Sequence, residues 1–127
     1  MNLEKVIFGF FIIFACTLNF GFFVGDIDRP ELHHPFELFA AVVVNLIATV
    51  IKFGDRTQLG ATHLATSLVA TFQLIAASLV WAWQLYVAKM PMTGEMIAVV
   101  VSLSGGALLA NVVSVVLLLG ETLRQGR

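Results

Sequence analysis

The chain reads as an all-α polytopic membrane protein, a bundle of four transmembrane helices with both termini in the cytoplasm. Three observations predict this. Of 127 residues, 59% are hydrophobic and only 12% charged, far less charge than soluble domains carry. The apolar residues gather into four runs, about 6–24, 36–53, 60–88 and 96–120, each long enough to cross or nearly cross a bilayer. The connections GDIDRPELHHP, GDRTQ and KMPMTGE are short and polar, leaving one membrane domain over residues 1–127.

The first run follows Lys5, is longer than the core of a cleavable signal and lacks a small-x-small cleavage site before Gly25, so it is expected to be a retained span. Cys16, the single cysteine, lies inside it and reads as a small buried hydrophobe. Lys5, Gly9, Cys16 and Asn19 share one side of this helix, and its phenylalanines make the remaining surface bulky and lipid-compatible.

In the first connection Asp28, Pro30 and Glu31 form a helix-start signature, so a short interfacial helix is expected before Pro35. Asp26, Asp28, His33 and His34 are metal-ligand types. With Glu31, Glu37 and Glu95 the acids would also concentrate cations on the outer face. Adjacent histidines point apart in most conformations, and no two are four residues apart on a helix. A solvated acidic loop is the simpler reading, and no cofactor is expected.

The second run is the most patterned. On a helix Glu37, Ala41, Asn45, Ala48 and Lys52 fall within about 80° of one another, with Phe39, Val43, Leu46 and Val50 opposite. Glu37 and Lys52 are separated by only fourteen residues, Leu38 to Ile51. That is roughly 21 Å against about 30 Å of hydrocarbon. A mid-membrane charge costs about 2.5–3.5 kcal/mol, so the polar stripe should face protein or an oligomer axis.

Gly54 is expected to end this helix in a left-handed turn, and Asp55 with Gln58 to cap the third helix. That helix aligns Thr62, Thr66, Ala70, Gln73, Ala77 and Gln84, while His63 reads as interfacial. Trp81, Trp83 and Tyr86 mark an aromatic belt at its outer end. Thr93 and Glu95 open the fourth helix, where Ala98, Ser102, Gly106, Ala110 and Ser114 recur at four-residue spacing. Small residues so spaced let helix backbones approach, within the subunit and against a second copy. Lys5, Lys52, Arg56, Arg124 and Arg127 lie on one side against Arg29 and Lys89 on the other, which places both ends in the cytoplasm.

Each span carries a carboxamide: Asn19, Asn45, Gln73 and Asn111. These read either as interhelical glue at about 0.6 kcal/mol per hydrogen bond, or as the lining of a polar route. Asn45 and Gln73, both near mid-depth, are the pair expected to meet. Near-zero net charge and dispersed basic residues exclude nucleic-acid binding. No phosphate loop, dinucleotide fingerprint or acid, base and nucleophile set occurs, so no enzyme is expected.

GDRTQLG resembles the Gly-x-x-x-Asp-Arg loop of major-facilitator transporters, but only through Gly54, Asp55 and Arg56, which convergence explains. TLNFGFFVGDID at Thr17–Asp28 and ELFAAVVVNLIATVIKFGDRTQLGA at Glu37–Ala61 resemble a family of small four-span inner-membrane proteins of bacteria, a domain of unknown function. The resemblance implies a multi-pass protein of the inner membrane and brings no catalytic or binding residue; an association of such proteins with potassium uptake favours cation transport. The expected role is therefore an accessory or oligomeric subunit associated with cation transport, in contact with lipid, other copies of itself or a larger transporter. A homo-oligomeric cation channel or small transporter is the alternative, and a purely structural membrane protein the third reading.

Overall fold

The structure, a computed structural model, describes residues 3–125. Among them all regular structure is helical: α1 (Leu3–Phe23), a 3-10 turn (Pro30–Leu32), α2 (Pro35–Lys52), α3 (Gln58–Ala82) running on into a π-helical turn (Trp83–Val87), and α4 (Gly94–Gln125). Four of these helices are long and apolar enough to cross a membrane, which makes the chain an all-helical, multi-pass membrane protein. Arg127, counted above for orientation, lies outside the described residues.

The helix boundaries follow local chemistry, with two corrections. Pro35 opens α2, where its missing N–H costs nothing. Thr57, not Asp55, is the N-cap of α3: its hydroxyl accepts from Gly60 N–H at 2.9 Å. The Asp55 carboxylate instead accepts from the Thr57 N–H (2.9 Å) and hydroxyl (2.6 Å). Gly54 is not left-handed, because α2 closes in right-handed geometry at Phe53, whose N–H meets Val50 O at 3.2 Å. The left-handed glycine is Gly25, φ 110°, which turns the chain out of α1. Thr93 opens α4 as expected, accepting from Met96 N–H at 3.2 Å.

Each helix packs on its neighbours in sequence, and α1 closes the square against α4. The Lys5–Glu121 ion pair brings the start of α1 to the end of α4, so these two helix ends share one end of the bundle, the near end. The far end holds the α1–α2 and α3–α4 connections.

The apolar core is in two pieces. A far cluster joins Phe22, Leu38, Ala41, Ala70, Leu74, Ala77, Trp81, Ile97, Val100, Val101 and Ala107. A smaller near cluster joins Phe8, Ile12 and Ala48. In lipid no water is released by burying these side chains against each other, so close packing and interhelical hydrogen bonds hold the helices together. One such bond is central: the buried Asn19 amide lies 2.6 Å from Ser104 Oγ. With its nitrogen turned toward α4, the amide also donates to Ser104 O (3.1 Å) and accepts from Leu108 N–H (3.0 Å).

Candidate functional site

The stripe on α2 points inward. Ala41, Asn45 and Ala48 are wholly buried and Lys52 is 6% exposed, while Phe39, Val43, Leu46 and Val50 face out. At its near end Lys52 Nζ lies 3.3 Å from Asp55 Oδ2 and 4.3 Å from the centre of the Phe8 ring. A buried ammonium needs such partners, a counter-ion and an aromatic face, because water is excluded from much of its shell. The Thr57 hydroxyl, then the Thr57 N–H, then Lys52 hold Asp55 down to about 2 from a usual 3.8. Asp55 rests on Gly60, where a Cβ would stand 2.1 Å from its Cγ.

These residues wall a near-end vestibule of about 480 Å³, lined by Glu4, Lys5, Lys52, Asp55, Arg56, Gly60, His63 and Glu121 among others. Its charged groups are balanced in sign. His63 is 1% exposed where it borders the vestibule, with Nδ1 3.3 Å from Ser114 Oγ and its ring edge-on to Phe8. Ser114 also bonds Thr66. The spacing of His63, Ser67 and Thr71 places all three on the buried side of α3, beside the alignment from Thr62, of which Ala70, Ala77 and Gln84 are buried, Thr66 and Gln73 half-buried and Thr62 exposed.

Above the vestibule the core turns polar where the apolar clusters part. Asn45 Nδ2 donates to Ala41 O at 2.9 Å, and Thr49 Oγ lies 3.2 Å from Thr71 Oγ. Asn45 and Gln73 do not bond each other. Gln73 turns to α4 because Gly106 leaves room there: a Cβ at Gly106 would stand 2.1 Å from Gln73 Oε1. Buried without a partner among the described residues are Asn45 Oδ1, His63 Nε2, Ser67 Oγ, Gln73 Oε1 and both amide atoms of Asn111. An unmet buried polar group costs about 1–3 kcal/mol, so each of these atoms calls for an explanation.

The far end carries less chemistry than its composition suggests. His33 is 2% exposed, and both its ring nitrogens meet backbone carbonyls, Nδ1 to Phe22 O (2.6 Å) and Nε2 to Asp26 O (2.8 Å). Those contacts tie the first connection to the end of α1 and occupy both atoms a metal would need. Asp26, Asp28 and His34 are exposed, and among the described residues no three His, Cys, Asp or Glu side chains gather. Arg29 bonds Glu31 at 2.9 Å, and Glu31 lies below the usual carboxylate range, held first by its own backbone N–H and then by Arg29. The Glu37 carboxylate lies against Gly21 of α1, where a Cβ would stand 2.0 Å from Oε2.

The four-residue stripe on α4 divides. Ser114 is buried and bonded to α3, Gly106 receives Gln73, Ala110 packs against the far cluster, Ala98 is half-buried, and Ser102 is exposed. A four-residue step advances about 40° beyond a full turn, so a long stripe spirals off any single interface. The side that packs within the subunit is Ile97, Val100, Ser104, Ala107, Asn111 and Ser114, alternating three- and four-residue steps. Trp83 and Tyr86 are exposed as belt residues should be, whereas Trp81 turns inward against Phe22. The π-helical turn, closed by Ala88 N–H to Trp83 O at 2.8 Å, was not legible from the apolar pattern.

No curated protein and no solved structure matches the chain. Residues 32–122 match the model of a family of unknown function, DUF6394. That region contains the Glu37–Ala61 stretch and leaves out Thr17–Asp28. Since the match covers most of the sequence, the chain belongs to this family.

Proposed function

We propose that the protein is a subunit associated with cation transport in the bacterial inner membrane, with both termini cytoplasmic, acting through its outward helix faces and not through a pore of its own. The single observation that carries this reading is the state of the bundle axis. The far half is closed by packed apolar side chains, Phe22, Leu38, Leu74, Ile97 and Val100 all wholly buried. The near mouth presents the buried ammonium of Lys52, which opposes passage of a cation in a low-dielectric setting. Between its ends the α2 stripe, Ala41, Asn45 and Ala48, is buried against other helices, as an accessory bundle requires.

The exposed acids of the far end, Asp26, Asp28, Glu31 and Glu95, support the cation side of the reading by raising local cation concentration. A homo-oligomeric channel would have to run between copies, along faces that in one subunit are almost entirely Phe, Val, Ile and Leu. Uptake of monovalent cations by cells lacking the chain tests the association: uptake should fall and return with the wild-type chain. Uptake unchanged across a range of external concentrations would leave the purely structural role.

A further inference from the structure

We propose that the outer groove between α3 and α4 at the near end is a site for an anionic phospholipid, with an acyl chain in the groove and the phosphate on Arg124. The groove has a volume of about 580 Å³ and is walled by facing rows of the two helices. On α4 the row Val116, Gly120 and Arg124 runs at four-residue spacing, with Leu117 and Glu121 beside it. Gln58, Leu59 and Thr62 of α3 stand opposite. Gly120 makes a notch in this wall. A Cβ there would meet nothing within 4 Å, so the space one helical turn from Arg124 is open and not filled by a neighbour. Toward the bundle middle the lining is apolar, Val116, Leu117 and Leu59, and the Thr62 hydroxyl is taken up by Gln58 O at 3.1 Å. Toward the helix ends it is polar, with Gln58, Glu121 and Arg124. Both helices are long and apolar enough to cross a membrane, and the groove lies where those two spans end. Its lining therefore changes from apolar to polar in the order that a lipid chain and headgroup need.

Charge decides which lipid. Of the two ions on the rim, Glu121 is already paired with Lys5. The adjoining vestibule shares Leu59 and Glu121 with the groove and adds Arg56, while its Lys52 is paired with Asp55. Arg56 and Arg124 are both exposed, and among the described residues neither lies within ion-pair distance of a carboxylate, Glu4 at the same mouth included. Two guanidiniums are thus left over where the headgroup would sit. Phosphate matches them, because a guanidinium donates two parallel hydrogen bonds to its oxygens. Basic pockets between transmembrane helices hold anionic headgroups by this chemistry. A zwitterionic lipid brings a cation along with its phosphate and gains less. A helix from a second copy would have to present a carboxylate to Arg124 as well as an apolar face, whereas an anionic lipid carries chain and counter-charge on one molecule.

Native mass spectrometry of the full chain in non-ionic micelles tests this, titrating phosphatidylglycerol and phosphatidylcholine with identical chains. The wild type should bind the first about fivefold more tightly, the preference that one basic residue at a bilayer surface confers. Arg124→Gln should bring phosphatidylglycerol to within about twofold of phosphatidylcholine. Gly120→Leu fills the notch without touching a neighbour and should weaken phosphatidylglycerol binding about threefold or more. Ser102→Leu, an exposed site on α4 outside the groove, should bind as the wild type does. Equal affinity of the wild type for the two lipids, or phosphatidylglycerol affinity unchanged in either groove variant, would overturn the proposal. So would a lipid-free dimer that Gly120→Leu disrupts, since a second copy would then occupy the groove.

Discussion

Gly60 and Asp55 show how one absent side chain organises the near end. Asp55 lies over Gly60, bonded to Thr57 and Lys52, and a methyl group at position 60 would occupy the carboxylate's place. Gly60→Ala should therefore destabilise the fold by about 1–3 kcal/mol, the usual cost of overpacking, read by denaturant unfolding in micelles. In Asp55→Ala the same change should cost less, a non-additivity that independent sites would not show. Asp55 also sets an acid limit. Its folded pKa of about 2 is below the usual 3.8, so its contribution is complete above that ordinary value and decays as pH falls through the folded one. The melting temperature should drop between about pH 4 and 2 in the wild type and be flatter across that window in Asp55→Asn; parallel profiles would show that Asp55 is not the group responsible.

At the scale of helices, α4 separates pattern from packing. Ser102→Leu replaces an exposed side chain and should change stability by less than about 0.5 kcal/mol, whereas Ser114→Leu must displace His63 and Thr66 and should be strongly destabilising. Ser104→Ala removes the bond to Asn19 that docks α1 on α4 and should cost about 0.6 kcal/mol, at most about 1.7. Equal effects of the two leucine substitutions in a thermal-shift assay would contradict the observed face of α4.

The helices themselves were legible, because apolar runs of membrane length and short polar links leave few alternatives. The inward side of α2 was legible too, since Ala41, Asn45, Ala48 and Lys52 contrast sharply with Val43, Leu46 and Val50. His63, Ser67 and Thr71 were harder to place, because α3 carries Thr and Gln on a neighbouring face a single 100° step away, and both faces contribute buried residues. The partner of Lys52 was also hidden: Asp55 reads equally well as a cap until the loop geometry gives that task to Thr57. His33 looked like a ligand because its type is visible in sequence, while the carbonyls it meets, on Phe22 and Asp26, are set only by the turn at Gly25.

The whole molecule is a square of four helices with a dry far half, a polar middle and a charged near mouth. On the proposed reading, that order of layers gives a cation no route along the bundle axis. Stabilising contacts lie inside the bundle, and on the proposed reading the outward faces meet lipid and other membrane proteins. Cation flux into liposomes holding only this protein is the most direct measurement, comparing wild type with Asn45→Leu at matched incorporation and verified helix content. The account predicts that neither conducts above empty liposomes. Flux through the wild type that Asn45→Leu abolishes would contradict it, placing an ion path along the inward face of α2.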